Sequence, residues 1–366
     1  KDDDTAVKRV VLLVLQSPRF LYREPGAGDA FDTASRLSFA LWDSIPDRTL
    51  LDAAATGNLT TQGDVVREAK RMLAEPRAQA KLHAILLQWL KLDQIAELPK
   101  DAKIFPKFDA AVVADLQTSL DLYLDDVVGS KTSDFRQFFQ TGDLYLNGRL
   151  AALYGVDLPA DAPFQKVSLK ADERKGLLTH PYILANLSYP GTSSPIHRGV
   201  FLARNILGVN LRQPPDAFTP LAAELHPKLN TRERITLQTR AKDCQGCHNV
   251  INPLGFTLEH FDAIGRRRAA ENGKPIDATG AFITRSGDTV PFKDVNDLAT
   301  FLASSDEVQE AFVARLFHAY VKQPILAYGP NKLDELRRRF ADNQCSVREL
   351  VIEVIADTAL AKFDPR

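Results

Sequence analysis

Methionine is almost missing from this chain: one in 366 residues, beside three cysteines, two tryptophans and a formal net charge of −1. Each scarcity excludes something. Three cysteines cannot build the disulfide framework that staples small secreted domains, so the fold must rest on its own core. Forty-six basic residues set against 47 acidic ones leave no electrostatic footprint for wrapping nucleic acid and no charge clue to a docking partner. The strongest apolar run, Val10 to Leu15, stops at Gln16, Ser17 and Pro18, well short of the ~18–20 residues of a membrane span. The chain opens on Lys1-Asp2-Asp3-Asp4, with neither an initiator Met nor a signal peptide, which reads as a processed or truncated form of something longer and leaves the compartment open. What is present, 45% hydrophobic and 25% charged residues, excludes bulk disorder, and at roughly 100–200 residues per domain the length predicts two or three units.

Helical periodicity dominates. Leu82, Ile85, Leu86, Trp89 and Leu90 recur at i, i+3, i+4, i+7 and i+8, one face of a buried helix. Similar patterns over 5–15, 32–42, 63–73 and 110–127 are closed by Pro46, Gly57-Asn58, Pro76 and Gly129-Ser130, giving a helical N-terminal domain over 1–155. A turn-rich stretch with Pro159 and Pro163, a loop-like 180–199 and Pro214-Pro215 predict a connecting module over 156–229. Asn230 with Glu233 reads as a capping box opening a helix over 231–240. Residues 281–285 and 289–292, flanking Ser286-Gly287-Asp288, predict one small hairpin, and helices are expected over 295–303, 308–322, 332–342 and 347–360. No repeat period and no low-complexity tract is present. The expected class is mainly α with long loops and at most one small hairpin.

The chemistry lies in Cys244-Gln245-Gly246-Cys247-His248. Two thiols three positions apart can each add to a vinyl group of one porphyrin while the adjacent imidazole meets its iron, which is the c-type haem attachment signature. A structural zinc site wants four N/S ligands, and the remaining Cys345 is isolated in another helical region, where it reads as a buried inert thiol. A thioredoxin-like redox pair wants a strand before the motif, where a capped helix is expected. Cys244 and Cys247 are therefore assigned to haem c anchoring, His248 to the proximal iron position. A ligating imidazole gives its second N–H to a carbonyl, and the stretch Asn252-Pro253-Leu254-Gly255 is close enough to supply one, while Pro253 and Gly255 also read as the end of the attachment helix.

The distal side is constrained by subtraction. The usual Met ligand comes from downstream, and the one Met, Met72, lies upstream on an apolar face with Val65, Ala69 and Leu73, as core. The sixth position is left to a His, another ligand, water or nothing. Candidates are His180, His197, His260 and His318. His318 shares a helix face with Ala311, Ala314 and Arg315: the two small alanines leave room for a flat macrocycle, and the charged arginine fits a solvated face equally well. His197 precedes Arg198, which could pair with a haem propionate, as could Arg266. His260 is only twelve residues past His248. His83, on an amphipathic helix, and His226, beside Pro227, read as structural.

Several strings resemble a known family: Arg36-Leu37-Ser38-Phe39-Ala40-Leu41-Trp42 with Ile45-Pro46-Asp47; Asp143-Leu144-Tyr145-Leu146-Asn147; Gly176-Leu177-Leu178-Thr179-His180; Thr192-Ser193-Ser194-Pro195 with Arg198-Gly199; Pro253-Leu254-Gly255-Phe256; Phe261-Asp262-Ala263-Ile264-Gly265-Arg266; and Lys322-Gln323-Pro324. The chain resembles, over nearly its whole length, the secreted modular cytochrome-like proteins abundant in planctomycetes and myxobacteria, built from consecutive domains of unknown function. The resemblance implies export, one covalent haem c, and a periplasmic or cell-surface location. It also implies that this chain begins partway through the family pattern.

Three functions follow for a cytochrome-c-like haem domain over 230–366. The first is a single-haem c-type cytochrome passing electrons outside the cytoplasm, with a redox protein or a small-molecule oxidant or reductant as partner. The second is a peroxidase- or oxidase-like haem c enzyme with an open distal position. The third is a surface assembly module in which haem is structural.

Overall fold

The computed structural model describes residues 2–18, 28–93, 97–170, 174–211 and 228–361. Pro214-Pro215, expected in the connecting module, and His226 lie outside the described residues. The protein is mainly helical, as its periodicity predicts, and its sheets among the described residues are small two-stranded antiparallel pairs. No helix among the described residues is long and apolar enough to cross a membrane. The chain divides into two compact units, residues 1–81 with 352–366, and residues 82–351.

In the first unit, helices Ala30–Trp42, Arg48–Ala55 and Gln62–Leu73 each start where a side chain accepts an orphan N–H of the first turn: Asp29 from Asp32, Asp47 from Leu50, Thr61 from Asp64. Leu37, Leu41, Leu50, Val65 and Ala69 form the buried faces these starts set in register. Met72 is fully buried among them, and its carbonyl accepts from Trp42 Nε1 at 3.2 Å, a core role as expected.

The second unit carries the motif. Its core holds an aromatic cluster in which Phe312 meets Trp89 at 5.1 Å and Phe135 at 4.4 Å between ring centroids. Trp89 Nε1 donates to the Asn205 carbonyl at 2.9 Å and Asn205 Nδ2 donates back to the Trp89 carbonyl at 2.7 Å, so the polar groups buried there are satisfied. Asn205 sits in a single π-helical turn, Leu202–Ile206, which continues helix Pro195–Phe201.

The expected hairpin forms from Gly280–Ile283 and Thr289–Phe292. The expected limit of one hairpin is exceeded: two further, separate pairs form, Asp143–Leu146 with Gln165–Ser168 and Ala270–Glu271 with Lys274–Pro275. Strands of four and two residues carry too few alternations to stand out; only Leu144 and Leu146 are buried in the first. The expected loop 180–199 contains helices Pro181–Asn186 and Pro195–Phe201. Their prolines, Pro181 and Pro195, occupy the first helical turn, where a missing N–H costs nothing.

The capping box of Asn230 and Glu233 opens helix Thr231–Gln238, two residues shorter than expected. A short turn leads into a second helix, Lys242–Phe256, so the cysteine motif begins a helix. This motif helix lies against Pro195–Phe201 with backbone touching backbone. A Cβ on Gly199 would overlap the carbonyl of Ile251, and one on Gly255 would overlap the carbonyl of Pro195.

Candidate functional site

Cys244, Cys247 and His248 fall at i, i+3 and i+4 near the start of the motif helix, which places them on one helical face. All three are half-buried, and both thiols are free. His248 Nδ1 lies 2.9 Å from Asn252 Oδ1, one turn along the same helix. Asn252 Nδ2 in turn donates to Thr239 Oγ1 at 2.8 Å, and the Thr239 hydroxyl donates to the Ile235 carbonyl at 2.8 Å. Thr239 and Asn252 are both buried. The carbonyl expected from the 252–255 stretch is thus a side-chain one.

These groups suit a thioether-tethered haem. Two reduced sulfurs remain partly open to solvent, and the imidazole uses one ring nitrogen while Nε2 makes no hydrogen bond among the described residues. They suit the alternatives poorly. Among the described residues no three His, Cys, Asp or Glu side chains gather as ligands for a bare metal ion. The element before the motif is a helix, which removes the strand a thioredoxin-like pair would need.

Pro253 does not end the motif helix, which runs on to Phe256. Its missing N–H would otherwise bond the carbonyl of Asn249, and its own carbonyl presses against Gly280, where a Cβ would overlap it. Pro253 therefore seats the motif helix on the hairpin.

Arg198 is also placed differently from its expected propionate role. It is fully buried, its Nη1 donating to the carbonyls of Leu258 and Phe261, each at 2.8 Å, and to Glu259 Oε1 at 3.1 Å. Nη2 donates to the carbonyl of Asp262 at 2.8 Å and to Ser188 Oγ at 3.2 Å. Burial lowers its pKa to about 10. The guanidinium fastens helix Pro195–Phe201 to the chain leaving the motif helix, with both terminal nitrogens committed. Arg266 is exposed, pairs with Asp262 at 2.9 Å and lies over the Phe105 ring at 5.3 Å.

The distal candidates do not converge. His180 is fully buried and caps Pro181–Asn186, its Nδ1 accepting from the Tyr182 N–H at 3.3 Å and its Nε2 3.4 Å from Ser119 Oγ. Desolvation, helped by the charge of Arg174, lowers its pKa to about 3, so it is a neutral structural imidazole. His197 is exposed with its ring 5.0 Å from that of Tyr189. His260 Nδ1 is 3.1 Å from the Arg268 carbonyl. His318 is exposed, while Ala311, Ala314 and Arg315 line a cavity of about 490 Å³ with Arg204 and Gly208. His83 bridges Asp121 and Asp125 at 3.1 and 2.8 Å. Cys345 is buried, and desolvation pushes its thiol pKa up.

Residues 29–156 match the family model PSD4, a protein of unknown function (DUF1592), and residues 174–271 match PSCyt3, a protein of unknown function (DUF1588). The chain therefore carries these two consecutive domains of unknown function. No curated protein and no solved structure matches it. The second match takes in the cysteine motif, the Gly199–Ile251 and Gly255–Pro195 contacts and the Arg198 cluster, whose members lie up to 64 residues from Arg198 in sequence. Sequence reasoning named the 252–255 stretch without singling out the Asn252 side chain, and it missed Thr239 and Glu259. The i, i+4 spacing of His248 and Asn252 was the available signal for that side chain; nothing local marks Thr239 or the burial of Glu259.

Proposed function

We propose that this protein is a single-haem c-type cytochrome that transfers electrons outside the cytoplasm. The observation that carries the reading is the arrangement at the start of helix Lys242–Phe256: two free, part-exposed thiols and an imidazole on one face, the imidazole steered by Asn252. The name of the second matching model, PSCyt3, hints at cytochrome-like proteins and supports it. Cys244 and Cys247 would hold the porphyrin through thioethers, and His248 would supply the proximal ligand. A haem bound there supplies a one-electron ferric/ferrous couple. The protein's contribution is rigidity. The glycine contact with Pro195–Phe201, the Arg198 tether and the Asn252 hydrogen bond keep the ligand ring from moving as charge changes beside it. Haem c attachment occurs outside the cytoplasmic membrane, so we place the protein in the periplasm or at the cell surface, with a redox protein or a small oxidant or reductant as partner.

The test is maturation in cells equipped for haem c attachment, comparing wild type with Cys244→Ser and Cys247→Ser. Wild type should give the reduced spectrum of a porphyrin with both vinyls saturated, and each single variant that of one remaining vinyl. Identical spectra from all three would reject the reading.

A second reading, a haem c enzyme of peroxidase or oxidase type, is favoured by the distal accounting. No methionine lies downstream of the motif, and His180 is spent on a helix cap in the core. Rapid carbon monoxide binding by the reduced protein and rapid reaction with peroxide would support it. A six-coordinate low-spin haem inert to both would leave electron transfer alone.

A further inference from the structure

Resting on the haem reading above, we propose that Asn252, oriented by Thr239, is the positioning residue that sets how strongly His248 donates electrons to iron. The argument is one of hydrogen-bond direction. A backbone carbonyl only accepts, so the Thr239 hydroxyl proton is committed to Ile235 at 2.8 Å. Its oxygen then faces Asn252 with a lone pair and accepts from Nδ2 at 2.8 Å. That settles an otherwise ambiguous amide: Oδ1 is the atom turned toward His248, at 2.9 Å. An acceptor there requires the imidazole to carry its proton on Nδ1, and a neutral ring has only one N–H, so Nε2 keeps the lone pair that a metal needs. Three bonds running from helix Thr231–Gln238 to the motif helix thus preselect the ligating tautomer.

The choice of an amide has a consequence. A neutral carbonyl draws on the Nδ1 proton less than a carboxylate would, so His248 donates moderately and the couple stays higher than with an acid at 252. With no acceptor at all, donation falls further.

The test uses the haem-loaded full chain as wild type, Asn252→Asp, Asn252→Val and Thr239→Val, with the mass of each checked before its midpoint potential is measured. Asn252→Asp should lower the potential and Asn252→Val should raise it, and Thr239→Val should follow the latter by a smaller step. A purely structural role gives no opposed signs. Unchanged potentials, or Asp and Val shifts in the same direction, would overturn the proposal. Failure of wild type to carry haem would instead overturn the functional reading. In that case the nitrogen NMR shifts of His248 in the haem-free chain still decide the orientation: Nδ1–H is expected, and an Nε2–H ring refutes it.

Discussion

Gly199 and Ile251 meet where helix Pro195–Phe201 crosses the motif helix, so closely that a Cβ on the glycine would overlap the isoleucine carbonyl. The contact is backbone to backbone, and no rotamer change can relieve it. Gly199→Ala, and likewise Gly255→Ala against Pro195, should destabilise the protein by about 1–3 kcal/mol or more. Gly246, inside the motif, has open space where its Cβ would stand. Gly246→Ala should stabilise by about 0.5–1 kcal/mol, because only the helix propensity changes. Urea denaturation of the three variants checks the contrast, and equal effects at 199 and 246 would refute it.

Arg198 and Glu259 form a buried pair at 3.1 Å, the carboxylate also receiving Arg268 at 2.8 Å and Ser193 at 2.9 Å. Removing one partner strands the rest. Arg198→Met should cost about 3–5 kcal/mol, and the double variant with Glu259→Gln should cost clearly less than the sum of the singles. A double-mutant cycle by denaturation measures this, and strict additivity would contradict it.

Two histidines give opposite pH signatures. His180, held near 3 by desolvation and then by Arg174, binds no proton in the folded state where the unfolded ring, near 6.5, does. Its contribution is complete above about 6.5 and lost as pH falls toward 3. His180→Asn keeps a good N-cap and should flatten the acid slope of stability across that window. His83 is raised to about 9 by its hydrogen bond to Asp121 and then by Asp125, against some desolvation. Its contribution is complete below about 6.5 and lost as pH rises through 9. The stability gap between wild type and His83→Gln should therefore close with rising pH; a gap that widens would refute the assignment.

Much of this fold was legible because its helices are long and periodic. The helix expected over 332–342 is observed as Lys332–Asp342, and the capping box at Asn230 and Glu233 marks the start of Thr231–Gln238. What escaped was non-local or short. The Asp143–Leu146 strand pairs with a partner inside a turn-rich stretch. Pro181 and Pro195 start helices within the stretch expected to be loop-like. Pro253 lies within a helix because tertiary contacts outweigh its lost hydrogen bond. At the site, the cysteine and histidine spacing was fully visible, since it is local. Arg198 misled because charge suggests a surface or a ligand, while its burial against Leu258, Glu259 and Phe261 depends on chain 60 residues away. The Asn252 and Thr239 relay spans two helices, and the pairing of their faces is set only by folding.

The most direct measurement is the intact mass of the matured chain, taken before and after treatment with a thiol-alkylating reagent under denaturing conditions. The account predicts polypeptide plus one haem, with Cys345 as the single alkylated thiol. Polypeptide mass alone, with Cys244, Cys247 and Cys345 all alkylated, would contradict it.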